Sequence, residues 1–152
     1  MLVLTFQIGG ERLALDIRSV KEVVPRVRLE RPAGAPDWLA GVFVYRGRII
    51  PVLDLHRLVG SGECPPHLSS RIILVPSGDG EQLVGLLAAQ VADLREVDVS
   101  ARPLTGFTAA GRVDLGPVLA DAGGVLRLLD LDRLLADPVR QQLDRLPQES
   151  TP

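Results

Sequence analysis

The chain has 152 residues, a length that suits one domain or two small lobes folded together. Hydrophobic residues make up 46% and charged residues 24%, with a net charge of −2. That is enough apolar material for a core. It excludes the basic surplus of a nucleic-acid binder, and no basic block suits an anionic membrane.

Met1–Phe6 is apolar but short, without a positive flank or a small-residue cleavage site, so no secretion signal is expected. No apolar run reaches the roughly 18 residues of a membrane-spanning helix. The single cysteine, Cys64, excludes an intramolecular disulfide. The expected location is the cytoplasm, with no direct membrane insertion.

Aromatic residues are only 3%, so the core must rest on Val, Leu and Ile. Short apolar runs separated by Gly and Pro predict an all-β fold, a barrel or a sandwich. Leu2–Ile8 and Arg12–Asp16 read as strands around a turn at Gly9-Gly10-Glu11. Ile17, Val20 and Val24 fall on one helical face, which predicts a short helix over 17–24 that Pro25 ends. Arg26–Arg31 alternates like a half-exposed strand, and Pro32–Pro36 reads as a loop. Pro36–Ala40 fits one helical turn closed by Gly41.

Val42–Tyr45 and Arg48–Leu55 face each other across Arg46-Gly47. The second run is nearly all apolar, as in a strand buried on both faces. Pro51 inside it calls for a bulge or an edge. The polar stretch 60–66 is the best boundary between two lobes, which places that boundary near 60–68. Arg71–Val75 and Gln82–Ala88 form a second hairpin, and Val91–Val97 reads as a further strand. Ser100–Arg112 reads as an irregular loop. Leu115–Leu119 and Val125–Leu129 form a third hairpin. Asp130 is a natural N-cap for a helix over 131–135, which pauses at Pro138 and resumes through 139–146; 148–152 should fray. Ile49–Leu55 echoes Val125–Leu131, each an apolar strand running into Asp-Leu, which hints at two related barrels.

Residues with chemical potential are sparse. Asp16 and Asp54 follow strands and read as capping residues, because the shared loop of an aspartic dyad is missing. His56 and His67 have no companion ligands for a metal. Cys64 lacks a triad-like setting, and the glycine pairs lack the spacing and lysine of a phosphate loop. Neither catalysis nor a cofactor is expected. A small β-barrel that binds a small molecule is the competing reading.

The run Gly41-Val42-Phe43-Val44-Tyr45-Arg46-Gly47-Arg48-Ile49-Ile50-Pro51-Val52-Leu53-Asp54-Leu55 resembles the CheW family, with its Arg-Gly turn and its Pro-x-x-Asp-Leu strand. Phe6, Gly9, Leu15-Asp16-Ile17, Val20 and Glu22-Val23 fall at the family's upstream signature. Pro32, Pro36 and Asp37 match the loop before the long motif, Val84–Leu87 a later strand, and Val125–Leu135 the closing strand and helix. The resemblance covers roughly Leu2–Leu135.

It implies two small five-stranded SH3-like barrels with pseudo-symmetry and short helices, together spanning 1–137, with 138–152 as a helical extension and tail. It also implies a scaffold between the cytoplasmic tips of chemoreceptors and the regulatory domain of a CheA-type histidine kinase. The receptor tip would occupy a groove walled by Val20, Glu22 and Val23 and by Tyr45, Arg46 and Gly47; the kinase-docking residues are unassigned. The sequence departs from the family where Val44-Tyr45 replaces Asn-Leu, where Val24-Pro25 replaces arginines, and at Ala89-Gln90.

Overall fold

Leu2–Ile8 (β1) and Glu11–Asp16 (β2) pair antiparallel as the alternation predicts, with Gly9 at φ 58° in the turn. They open a computed structural model that describes residues 1–59, 62, 64–65, 70–77, 82–97, 116–121, 124–135, 139 and 143. Seven further strands follow among the described residues: Glu22–Pro25 (β3), Leu39–Tyr45 (β4), Arg48–Asp54 (β5), Arg71–Ser77 (β6), Gln82–Glu96 (β7), Val118–Asp121 (β8) and Gly124–Leu128 (β9). Two four-residue helices, Leu55–Leu58 (α1) and Leu131–Leu134 (α2), each follow a strand and an Asp N-cap.

The strands make two ladders that share β7. One runs β3-β6-β7-β5-β4, the other β7-β1-β2-β9-β8. β5 pairs parallel with β7, and β9 pairs parallel with β2. The stretch 60–68 joins α1 to β6, whereas the two ladders meet along β7. β7 is one continuous strand, not the two that the sequence pattern predicts. It bends at Gln90, which holds φ 51°. There, two steps along β1 (Thr5 to Gln7) span four along β7 (Asp93 to Ala89), a bulge that turns the strand from one ladder into the other.

Burial explains the near-continuous apolar runs. Ile72 and Leu74 face an interior cluster of the first ladder with Ile50, Val52, Leu87 and Ala89. Ile73 and Val75 face the opposite way, into a central cluster with Leu4, Phe6, Leu13, Leu53, Leu86 and Leu134. Val3, Ala14, Leu119 and Leu126 form the interior of the second ladder. Successive side chains of a strand point to opposite faces, so a strand lying between two cores must be apolar on both. Leu143 is buried in the central cluster and Val139 packs against it; both are helical.

Several local expectations change. Residues 17–24 form no α-helix. Asp16 caps a single 3-10 turn over Ile17–Ser19, and β3 then pairs with β6, Val23 opposite Ile73. The β-branched pair Val23-Val24 and Pro25 suit an extended edge better than a helix. Arg26–Arg31 is not a strand: Pro25 lacks the N–H that would carry the ladder on, and only a bridge between Glu30 and Val42 follows. The first ladder is therefore not closed by continuous pairing, and no strand pairing closes the second among the described residues. Pro36–Ala40 makes one turn, Leu39 N–H to Pro36 O at 3.0 Å, before β4 begins.

Gly41 interrupts the β4–β5 register instead of ending a helix. At φ 152° it lies where a Cβ would sit 2.7 Å from Leu29 Cβ and 2.9 Å from Glu30 O. Pro51 causes no bulge, since it pairs with Val42 and β7 joins β5 only from Val52 onward. Residues 100–112 and 148–152 lie outside the described residues, as do most of 60–66 and 139–146.

Candidate functional site

The β4–β5 hairpin turns on two residues, Arg46 at φ 49° and Gly47 at φ 78°. Positive φ at both centres matches the twist of the flanking strands. Glycine adopts it freely, whereas arginine does so at a cost. This residue carries the charge of the turn, with its side chain 73% exposed. Its guanidinium lies 5.1 Å from the centroid of the Tyr45 ring, within cation–π range, and 4.0 Å from Glu22 Oε2. The Tyr45 hydroxyl donates a hydrogen bond to that same carboxylate oxygen. Tyr45 in turn tilts against Phe43, 6.4 Å away and two residues back on the same strand.

Glu22, Tyr45, Arg46 and Gly47 are thus brought together from β3 and from the hairpin. Glu22 reaches them from a strand, not from the helix that the periodicity predicts. Val20 and Val23 stand apart from this group. Val20 is half-buried against the central core and lines an adjoining hollow of about 330 Å³ with Arg18, Lys21, Arg48 and Leu83. Val23 is 38% exposed and alternates to the face of β3 opposite Glu22. The basic rim of the hollow was not singled out by sequence reasoning; its one signal is Arg48, directly after the Arg46-Gly47 turn.

The carboxylates that follow strands serve structure. Asp16 accepts from the Arg18 backbone N–H and from its guanidinium, 2.7 Å at the shortest, and these bonds hold its carboxyl below the usual range. Asp54 is buried and spends both oxygens on backbone N–H groups, of His56 and of Cys64, each at 3.0 Å. His56 is buried with Nε2 unpartnered. Burial pushes its pKa down, the Asp54 carboxylate opposes this, and the Arg26 charge adds to the lowering. Trp38 packs the preceding loop on the central core and accepts the Asp54 N–H through its carbonyl. Among the described residues no three of His, Cys, Asp and Glu converge as metal ligands, and no helix is long and apolar enough to cross a membrane.

Paired ladders over a shared core, with a charged hairpin tip projecting from one of them, define a β-sheet scaffold built for contact with other proteins. The comparisons agree. A family model described as the CheW-like domain matches residues 2–139, and the chain belongs to that family. Protein FrzA of Myxococcus xanthus is 32% identical over 134 residues, covering 86% of this chain and 82% of the relative. The chemotaxis protein CheW of Treponema pallidum is 29% identical over 152 residues, covering 95% and 87%. The crystal structure of the scaffolding protein TtCheW from Thermoanaerobacter tengcongensis superposes with a TM-score of 0.76 at 26% identity, covering 91% of this chain and 89% of that one.

Proposed function

We propose that this chain is a cytoplasmic coupling scaffold that joins chemoreceptor tips to a CheA-type histidine kinase in chemotaxis or a related chemosensory pathway, and that it performs no chemistry of its own. The observation that carries this reading is the Arg46 hairpin tip, held over Tyr45 and beside Glu22 on a scaffold of the CheW-like family. A receptor tip is a helical hairpin. Helix-in-groove docking uses apolar walls with charges at the rim. Val20 and the adjoining hollow supply the wall; Glu22, Tyr45 and Arg46 supply the rim, and Gly47 sets the turn. Val23 belongs to the site if the helix reaches over the edge of β3.

The two ladders are best read as SH3-like barrels related by pseudo-symmetry within one domain over 1–137, with 138–152 as an extension. Three parallels support this: each ladder encloses its own apolar cluster, each holds one parallel pair, and Asp54-Leu55 and Asp130-Leu131 start equivalent capped helices. The Glu30–Val42 bridge brings the chain beyond β3 back to β4, the place where the first barrel would close. The test is reconstitution of receptor, kinase and this chain from one genome. Adding the chain should change kinase autophosphorylation only when receptor is present. An identical rate with and without it, at concentrations that saturate binding, would remove the coupling role.

A further inference from the structure

The hollow beside Val20 holds a cation that the hairpin tip leaves unused. It measures about 330 Å³, and Arg18, Val20, Lys21, Arg48, Pro76 and Leu83 line it. Resting on the coupling role, we propose that Lys21 determines which receptor is recognised: its ammonium receives one carboxylate of the receptor-tip helix, while an apolar residue one turn away on that helix seats in the hollow.

The backbone on either side of Lys21 is fixed. The turn capped by Asp16 closes through Val20 N–H to Ile17 O at 3.1 Å, and the Lys21 N–H donates to Leu74 O at 2.8 Å. β3 starts at the next residue. Lys21 itself is exposed, so its four-carbon stem presents a compact charge with three donors from a firm root.

The three cations of the rim are not equivalent. Arg18 is closed on Asp16 by bonds of 2.7, 3.1 and 3.2 Å, and Arg48 has interactions of its own. Counting both arginines as fully neutralised still leaves Lys21, whose ammonium pairs with no carboxylate among the described residues. Glu22, its neighbour in the chain, directs its carboxylate to Tyr45 and Arg46. No carboxylate among the described residues lines the hollow. The positive surplus therefore stands on Lys21, whatever the arginines contribute.

A single compact cation beside Val20, Pro76 and Leu83 fits an acidic side chain with an apolar companion. Residues i and i+4 of a helix lie about 5–6 Å apart on one face, so one turn of a docked helix offers both. At an exposed rim such a pair contributes selectivity more than affinity. It favours a tip with Asp or Glu at that place and opposes one with Lys or Arg.

Lys21 is the only lysine of the chain, which makes the contact directly mappable. The full chain would be mixed with the tip fragment of a chemoreceptor from the same genome and treated with a zero-length carbodiimide, which condenses a carboxylate with an amine. Peptide mapping by mass spectrometry should find Lys21 joined to an Asp or Glu of the tip helix. In calorimetric titration Lys21→Gln should weaken the tip fragment about two- to fivefold, the range of an exposed ion pair. Lys21→Glu should weaken it about tenfold or more, and Lys21→Arg should bind like the parent. Changing the joined receptor carboxylate to its amide should cost the same factor as Lys21→Gln, and nothing further when the two are combined. Binding of the tip to the parent chain without a cross-link through Lys21, or equal affinity of Lys21→Glu and the parent, would overturn the proposal. A tip fragment that fails to bind the parent chain at all would instead remove the coupling role, and the role of Lys21 with it.

Discussion

Replacing Arg46 by glycine separates what the turn needs from what the side chain does. Arg46 holds φ 49°, a conformation that costs a non-glycine residue about 1–2 kcal/mol. Glycine removes that strain but loses about 0.5–1 kcal/mol through the greater freedom of the unfolded chain. The exposed cation–π contact with Tyr45 contributes about 0.5–1 kcal/mol, and the solvent-exposed ion pair with Glu22 adds no more than about 1 kcal/mol. The opposing effects nearly cancel. Arg46→Gly should therefore leave stability within about 1 kcal/mol of the parent, a change in Tm of roughly 2–4 °C or less. Arg46→Ala keeps the strain, loses the contacts, and should fall by about 1–2 kcal/mol. Both variants should lose receptor-tip affinity alike, by about 1–3 kcal/mol. Thermal melting beside calorimetric titration with a receptor-tip fragment separates the two effects. If Arg46→Gly bound like the parent, the side chain would have no part in recognition. A steep loss of Tm in the same variant would show instead that the residue holds the turn.

Asp54→Ala strips a buried carboxylate from two backbone N–H groups and should cost about 2–4 kcal/mol in urea unfolding, a lost cap plus an unsatisfied donor. Asp130→Ala, at the more exposed cap of α2, should cost nearer 1 kcal/mol; equal losses would contradict this difference in burial. Gly41→Ala forces a Cβ against Leu29 and the Glu30 carbonyl and should lower stability by about 2–4 kcal/mol through overpacking and backbone strain, read as a shift in the urea midpoint. His56 has its folded pKa lowered from the ordinary 6.5, mainly by burial, so its contribution is fully present above 6.5 and is lost as pH falls toward the folded value. His56→Gln should flatten the fall of Tm with acidification below that pH; an unchanged slope would mean that His56 does not titrate with unfolding.

Elements that rest on local alternation and turn chemistry were legible in the sequence. β1, β2, the β4–β5 hairpin, the β8–β9 hairpin and the helix capped by Asp130 fall where strand period, paired turn residues and capping place them, whereas the helix after Asp54 (α1) follows a run that reads as strand through Leu55. Errors arose where one sequence fits two periods or where partners decide. Ile17, Val20 and Val24 satisfy a helical spacing, yet β6 offers an edge and Val23-Val24 takes it. The alternation of β7 reads as two strands because a bulge at Gln90 breaks the alternation without breaking the strand. For the candidate site, the sequence pointed to Arg46, Tyr45 and Glu22 as separate residues. Their meeting depends on the first ladder curling until its opposite edges, β3 and β4, approach each other, and no local pattern encodes that.

The shared strand has a consequence for how the molecule comes apart. β1 and β2 from the start of the chain complete a ladder with β8 and β9 from its end, while β3 to β6 build the other, and both lean on β7. A cut anywhere between α1 and β6 leaves each fragment holding strands of both ladders and neither ladder whole. The two halves should therefore melt in one transition, and a partner that tightens its grip on one half stiffens the strand on which the other is built.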